Sequence, residues 1–281
     1  MQRKPLTLAC FLLGCSAAGG GQQLAAGGEG LRLATFNLQN FGRSKVELPG
    51  LMAELVDVLR RYPFVAVQEL SDASEQAPRA LLERLNAEGA DYAVALSQRS
   101  GREPDDDSYR EQYGFYYDRR SLSLVGDGRL YDDSAYDHFV REPYLAHFAA
   151  RSGFDFVAIT VHTRPVAALE ELAHLTAVVE WAQSELPDAR AFIILGDLNA
   201  SCGYASSEEL DRLALRHAPY RWLVPDDADT TTSASHCAYD RIIFGDTVDS
   251  SATGAWGIDT ALDPAISDHF PVWAELWTGQ R

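Results

Sequence analysis

Polar side chains stand directly after six short apolar runs of the 281-residue chain. A single aspartate in such a place is most often a turn or capping residue, but six groups of carboxylates, amides and imidazoles are hard to explain as caps. Their oxygens suit Mg²⁺, Mn²⁺ or Ca²⁺, and their imidazoles suit proton transfer, which together are what hydrolysis of a phosphodiester needs. The groups are Phe36-Asn37, Gln68-Glu69, Val161-His162, Gly196-Asp197-Leu198-Asn199, Tyr239-Asp240-Arg241 and Ser267-Asp268-His269.

The composition of the chain limits the ways in which it could bind a phosphate ester. It has 41 acidic and 24 basic residues, and its formal net charge is −17. A protein that coats a polyanion needs a basic surplus to displace counterions, so that class is excluded. Something other than lysine must neutralise a bound phosphate. We therefore expect divalent cations, Mg²⁺ or Mn²⁺, at the site.

Apolar runs with the composition of β-strands precede several of these polar groups. They cover residues 31–36, 64–67, 154–161 and 191–195. A long amphipathic helix is predicted over 168–186, with Glu170 and Glu171 on its solvated face. Strands at 113–117 and 121–125 are predicted to form a hairpin. Helices that alternate with strands indicate an α/β fold with mixed sheets, in which ligands bind beyond the strand ends.

The first 30 residues have the composition of an export signal followed by a tether. A basic start precedes a short apolar stretch that ends at Cys15, in a run that resembles the lipobox of bacterial lipoproteins. The alternative is an ordinary secretory signal cut near Ala18. In both cases the protein is exported, to the cell envelope or into the medium. We predict a lipoprotein-type signal over 1–14 with lipidation at Cys15, a flexible tether over 15–30 and a folded domain over 31–281.

Export also decides how the four cysteines are used. Cys10 falls in the signal, and Cys15 is the lipidation site. Cys202 and Cys237 remain in the folded part, where an oxidising compartment favours a disulfide between them. Two sulfurs without a nearby histidine pair do not supply the four ligands of a zinc site.

Seven groups of residues, in their order along the chain, resemble the motifs of the endonuclease/exonuclease/phosphatase superfamily. The resemblance extends over residues 31–276 and is strongest to the deoxyribonuclease I branch, particularly over 196–241. It implies a four-layer α/β sandwich, in which two packed mixed β-sheets are flanked by helices and the site lies at one end. The motifs are Phe36-Asn37, Gln68-Glu69, residues 109–113, His162, residues 196–200, residues 237–241 and residues 267–271.

The resemblance also implies roles for individual residues. Two histidines would flank the scissile phosphate, one as an acid and the other as a base or a donor to the phosphate, and each would be oriented by a carboxylate. The implied pairs are His162 with Glu111 and His269 with Asp240. The implied metal ligands are Glu69, Asn37 and Asp268, with Asp197 and Asn199 on the other side holding the attacking water or a second ion.

Substrate contacts and a structural calcium site are implied in the same way. Tyr109 and Arg141 stand where the branch contacts DNA, whereas Ser71 replaces an arginine that the branch usually inserts into the minor groove. We therefore expect a weaker nuclease on duplex DNA, or an enzyme that tolerates single strands or other diesters. A calcium loop is implied at Asp229, Thr231, Ser233 and Ser235, and the alternative is a turn rich in serine and threonine.

These residues lead us to expect a monomeric, exported, metal-dependent phosphodiesterase that resembles deoxyribonuclease I and cuts DNA, with membrane contact only through the lipid anchor. One alternative is a phosphoesterase for phospholipid head groups or phosphomonoesters on the same scaffold. Membrane-acting relatives usually carry exposed aromatic hairpins, which the sequence lacks. A second alternative is a non-catalytic binding module, but such a module is expected to have lost at least one catalytic carboxylate or histidine, and none is lost.

Overall fold

The computed structural model describes residues 30–101 and 109–278. The predicted signal over 1–14, the lipidation site Cys15 and all but the last residue of the predicted tether lie outside the described residues. Among the helices of the described part, none is long and apolar enough to cross a membrane.

Twelve strands and six α-helices make up the described part of the chain. The strands are β1 (Gly30–Phe41), β2 (Phe64–Leu70), β3 (Tyr92–Leu96), β4 (Gln112–Asp118), β5 (Leu122–Leu130), β6 (Tyr144–Ala150), β7 (Asp155–His162), β8 (Phe192–Asp197), β9 (Arg221–Trp222), β10 (Asp240–Phe244), β11 (Ala252–Ile258) and β12 (Val272–Trp277). The helices are α1 (Arg43–Val46), α2 (Pro49–Leu59), α3 (Gln76–Asn86), α4 (Ala168–Glu185), α5 (Ser207–Leu210) and α6 (Asp246–Asp249), with 3₁₀ turns at Pro165–Ala167 and Ala214–Arg216.

The strands form two six-stranded mixed sheets. The first has the order β11-β12-β1-β2-β4-β3, and the second has the order β5-β6-β7-β8-β10-β9. Each contains one parallel pair, β1 with β2 and β7 with β8, and antiparallel pairs elsewhere. The four predicted strands and the predicted long helix are confirmed as parts of β1, β2, β7, β8 and α4.

The predicted hairpin between 113–117 and 121–125 is wrong. β4 pairs with β2 and β3 in the first sheet, whereas β5 pairs with β6 in the second. The residues between them therefore carry the chain from one sheet to the other. β4 lies between β2 and β3, so both of its edges are already paired and neither is left for β5, which is a largely exposed edge strand of the second sheet.

Three apolar clusters separate the four layers of the molecule. In the cluster between the sheets, the ring of Phe64 lies 5.4 Å from that of Phe115 in the same sheet and 5.0 Å from that of Phe148 in the second sheet. The outer face of the first sheet packs against α2 and α3, and that of the second packs against α4. Burying both faces of each sheet gives the α/β sandwich that the sequence predicts.

Strand direction collects the polar groups at one end of this sandwich. β1, β2, β7 and β8 finish there, because members of a parallel pair end at the same edge. β4, β10 and β12 run antiparallel to their neighbours, so they begin at that edge. Side chains that follow one set of strands thus meet side chains that precede the other. Pairing sets His162 and Asp240 each opposite Asp197.

Candidate active site

Asp197, at the end of β8, lies at the centre of the polar groups. Its side chain is buried, and its Oδ2 lies 3.5 Å from Nε2 of His162 and 3.5 Å from Nε2 of His269. The amide of Asn37 donates to the same oxygen at 2.9 Å. Burial opposes a charge on Asp197, but the two imidazoles and these hydrogen bonds outweigh it and lower the pKa of the carboxyl.

Each histidine is oriented by a second carboxylate on the far side of its ring. Nδ1 of His162 lies 2.9 Å from Oε2 of Glu111, and Nδ1 of His269 lies 2.7 Å from Oδ2 of Asp240. Because Nδ1 of each ring is engaged, Nε2 of each points to Asp197. The structure therefore brings together both histidine–carboxylate pairs that the sequence predicts.

These pairs favour the charged form of both imidazoles. Burial and the Arg141 guanidinium oppose a charge on His162, but Glu111 outweighs them and raises the pKa of the imidazole. Burial likewise opposes a charge on His269, while Asp240 and Asp197 raise its pKa to about 10. Burial disfavours the ionised form of Glu111, yet His162 and Arg141 hold its pKa at about 2. Both rings are thus suited to donate protons at neutral pH.

Local backbone geometry turns two of the site side chains inward. β2 is irregular between Val67 and Leu70, and Glu69 has a left-handed φ of 59°. Asn199, two residues after Asp197, has a φ of 46°. Non-glycine residues in this region are uncommon and cluster at functional sites. The Asn199 amide donates to the Thr163 carbonyl, so it spans the ends of β7 and β8.

Of the predicted metal ligands, Asn37 and Glu69 lie beside Asp197, whereas Asp268 lies at the rim of the site. Asn37 donates from its amide nitrogen to Glu69 at 2.8 Å as well as to Asp197, while its own oxygen accepts from the Gln39 amide. Asp268 is half exposed at the rim, where its side chain is 51% accessible. Side-chain donor atoms of Asp197, Asp240 and His269 all lie within 4.8 Å of one another. That cluster shares only Asp197 with the predicted ligands, and its His269 is engaged by Asp240, so the carboxylate and amide oxygens of Glu69, Asn37, Asp268 and Asp197 are the donors whose chemistry fits a divalent cation.

Lys45, on α1, is a residue of the site that the sequence did not single out. Its ammonium donates to the Leu38 carbonyl at 2.9 Å and to the Ile266 carbonyl at 2.6 Å. It thereby joins the segment after Asn37 to the segment before Asp268. Burial lowers the pKa of Lys45, against the attraction of Asp268 and Glu69. A lone lysine beyond a strand offers no sequence signal for such a role.

The predicted substrate residues lie behind and beside Glu111. Arg141 is buried, donates to the carbonyls of His162 and Thr163, and lies 3.5 Å from Glu111. The Tyr109 hydroxyl donates to Glu111 at 2.7 Å. Ser71 follows β2, and its amide donates to the Phe41 carbonyl near the rim. Contact of Tyr109 and Arg141 with a substrate stays a prediction.

Glu171 was predicted on the solvated face of its helix, and this is wrong. Its side chain is buried with 1% exposure, whereas the neighbouring Glu170 is exposed. Its two oxygens accept the backbone amides of Val140 and Arg164 at 3.3 and 3.2 Å. The loop before Arg141 and the loop after β7 fold over the first turn of α4, so a position that helical spacing alone leaves outside becomes covered.

The predicted calcium loop and the predicted disulfide lie side by side. Cys202 and Cys237 are bonded. The four residues of the loop turn their oxygens toward one another, with Asp229 and Thr231 3.0 Å apart and Ser233 and Ser235 2.6 Å apart. Thr231 pairs with His269 through the backbone. The loop therefore supports one of the two histidines. Calcium binding by it stays a prediction.

Comparison with known proteins places this geometry in a family. The sequence profile of the Endonuclease/Exonuclease/phosphatase family matches residues 34–269, which include all of the polar groups described above. The chain belongs to this family. Curated relatives include Deoxyribonuclease-1 of Homo sapiens, 34% identical over 273 residues, covering 89% of this chain and 93% of that protein. Deoxyribonuclease-1 of Mus musculus is also 34% identical, with coverage of 86% and 90%.

A solved structure agrees with the fold of the family. The structure of D. rerio TDP2 complexed with a single strand DNA product has a TM-score of 0.57 and 17% identity, covering 88% of this chain and 98% of that chain. At this identity the likeness concerns the fold alone. Family membership and the relatives together support a phosphodiester hydrolase close to deoxyribonuclease I.

Proposed function

We propose that the protein is an exported, metal-dependent endonuclease that hydrolyses DNA. The observation that carries this proposal is the arrangement of two carboxylate-bound histidines around one oxygen of Asp197. A phosphodiester placed between the two rings would meet a charged N–H on each side. The curated relatives named Deoxyribonuclease-1 support DNA as the substrate.

The residues divide the work of hydrolysis between them. The two imidazolium groups act as donors, one toward the leaving oxygen and the other toward a non-bridging oxygen of the phosphate. Asp197 is ionised and accepts the proton of the attacking water. Asn199, whose side-chain amide donates to the Thr163 carbonyl, lies beside Asp197 and would help to position that water. Glu111 and Asp240 keep their rings in the orientation that exposes Nε2.

Mg²⁺ or Mn²⁺ would be held by Glu69, Asn37 and Asp268 on one side and by Asp197 on the other. Asn37 would have to turn its amide so that its oxygen faces the ion. A bound divalent cation would supply positive charge to the phosphate oxygens in addition to that of the two imidazolium groups, in a chain whose formal net charge is −17. Asp229, Thr231, Ser233 and Ser235 would hold a structural Ca²⁺. We further propose that the protein is a monomer, anchored to the cell envelope through Cys15 or secreted.

A substrate panel tests the proposal. The purified full-length chain is incubated with supercoiled plasmid, duplex and single-stranded oligonucleotides, RNA, phosphatidylcholine vesicles and p-nitrophenyl phosphate, each with Mg²⁺ or Mn²⁺. We expect plasmid nicking that precedes linearisation, which marks internal cleavage. Hydrolysis of the vesicles or of the monoester with every nucleic acid intact would contradict the proposal and favour the alternative phosphoesterase.

A further inference from the structure

The buried carboxylate of Glu171 touches neither the two catalytic histidines nor the carboxylates that orient them. It nevertheless joins two separate backbone segments of the site. One oxygen accepts the amide of Val140, the residue before Arg141, and the other accepts the amide of Arg164, two residues after His162. A single side chain thus fixes the chain on both sides of the Arg141–His162 contact.

Several hydrogen bonds between those two anchor points connect Arg141, Thr163 and the ends of β7 and β8. Arg141 Nε donates to the His162 carbonyl at 2.9 Å, and its terminal nitrogen donates to the Thr163 carbonyl at 3.1 Å. The Thr163 carbonyl also accepts from Asn199, and the Thr163 amide donates to the carbonyl of Asp197. A movement of this loop would therefore change the position of groups on both sides of the phosphate.

Burial of a carboxylate requires compensating contacts, because an unpaired charge is costly to bury and a leucine would fill the same space. Here burial raises the pKa of Glu171 to about 7, so the charge is held against a cost in stability. Two backbone amides approach this side chain from different loops, and each of the two carboxylate oxygens accepts one of them.

We propose that Glu171 is a positioning residue, whose carboxylate ties the Arg141 loop to the loop after β7 and so sets Glu111 and His162 in their reactive orientation. This inference rests on the proposed hydrolysis of phosphodiesters. Because Arg141 is almost fully buried against carbonyls and Glu111, a disturbance here acts mainly on the orientation of the His162 ring and much less on the substrate contact predicted for Arg141. We therefore expect the rate of the chemical step to fall with little change in substrate affinity.

Two substitutions at Glu171 and one matched control test the proposal in the full-length chain. Glu171→Gln keeps the shape but loses one acceptor, and Glu171→Leu keeps the volume but loses both. We expect kcat on plasmid DNA to fall about 10-fold in the first and about 100-fold in the second, with KM within twofold of the wild type, since misplacement by about 1 Å costs on the order of 10²-fold. Glu170→Gln, one residue away and exposed, should behave as the wild type.

A measurement without substrate separates this inference from the proposed function. The ¹⁵N–¹H signal of Arg141 Nε reports its bond to the His162 carbonyl, and we expect it to shift or broaden in both Glu171 variants and to stay unchanged in Glu170→Gln. If the wild type cleaves no diester, the proposed function fails, and this signal still decides whether Glu171 positions Arg141. Unchanged signals, wild-type kcat in Glu171→Leu, or a loss of kcat that equals the loss of folded protein by circular dichroism would overturn the inference.

Discussion

At the scale of single residues, the main feature of the site is one carboxylate oxygen of Asp197 that faces several donors. Oδ2 of Asp197 faces His162, His269 and Asn37, which come from three distant parts of the sequence. Each of these contacts depends on a further carboxylate or on a strand end that holds the donor. Loss of one histidine therefore leaves the other facing an altered charge, and the two rings are expected to act as a unit.

The raised pKa of Glu171 predicts a pH dependence of stability. Burial raises this pKa from 4.5 to about 7, so the folded protein holds the proton more tightly than the unfolded chain. The stabilising contribution is fully present below pH 4.5 and is lost as the pH rises through about 7. Urea unfolding of the wild type should lose on the order of 3 kcal/mol more between pH 4.5 and pH 8 than that of Glu171→Gln. Equal pH dependence in the two proteins would refute this prediction.

Residue type and position after a strand were enough to find most of the site. The carboxylates, amides and histidines that follow apolar runs all reach one end of the sandwich. Glu171 and Lys45 could not be found in this way, because their partners are backbone groups of loops distant in sequence. Helical spacing describes one helix at a time, and it contains no information about which loop will cover that helix.

At the scale of elements, the close approach of β7 and β8 fixes the distance between His162 and Asp197. Gly196 pairs with Val161, and a Cβ at Gly196 would meet the Val161 carbonyl oxygen well inside van der Waals contact. Only glycine allows the two strands this approach. The distance between His162 and Asp197, at the ends of these two strands, therefore depends on this glycine.

Gly196→Ala is expected to destabilise the protein and to separate the two site residues. Overpacking of this kind typically costs about 1–3 kcal/mol, and it should lower kcat further by displacing Asp197. Thermal unfolding and plasmid nicking measure the two effects. Gly203→Ala is the matched control, because a Cβ there meets nothing within 4 Å. Wild-type melting and activity in Gly196→Ala would contradict the explanation.

The disulfide acts on the loop that precedes β10. Thr230 donates to the Cys237 carbonyl, and the Thr230 hydroxyl accepts the amide of Asp240. Cys202→Ser opens a loop of 35 residues, for which chain entropy predicts a loss of about 3–4 kcal/mol. We expect a lower melting temperature and faster amide exchange at Asp240. Two free thiols in the native protein, detected by alkylation and mass analysis, would show that the bond is absent.

Sequence patterns located several elements but did not predict how neighbouring strands pair. Apolar composition was sufficient to locate β1, β2, β7 and β8, and the helical spacing of apolar residues was sufficient to locate α4. It could not assign β4 and β5 to different sheets, because two neighbouring strands look alike whether they pair or separate. Their partners are chosen by contacts from other parts of the chain, such as the packing of Phe115 against Phe64.

For the whole molecule, the acidic charge determines how a phosphate can be bound. With a formal net charge of −17, the protein repels DNA at long range unless cations are present. We expect exhaustive chelation to abolish cleavage and Mg²⁺ or Mn²⁺ to restore it. Circular dichroism before and after chelation controls for unfolding. Undiminished cleavage by the chelated, folded protein would exclude the metal-dependent mechanism.

Each histidine–carboxylate pair of the candidate site combines a residue of one sheet with a residue from a segment beside the other sheet. His162 and Asp240 belong to the second sheet, while Glu111 and His269 come from segments next to strands of the first. Each pair therefore crosses the interface between the sheets. Correct stacking of the sheets is a condition for orienting either ring.

Plasmid nicking by histidine variants is the most direct test of the account. The rate is measured for the wild type, His162→Ala, His269→Ala and the double variant, with the exposed His217→Ala as control. We predict that each single variant loses at least the 10²–10⁴-fold typical of a proton-transfer group, that the double variant is scarcely slower, and that His217→Ala matches the wild type. Wild-type nicking by either single variant at the two site histidines would contradict the central claim.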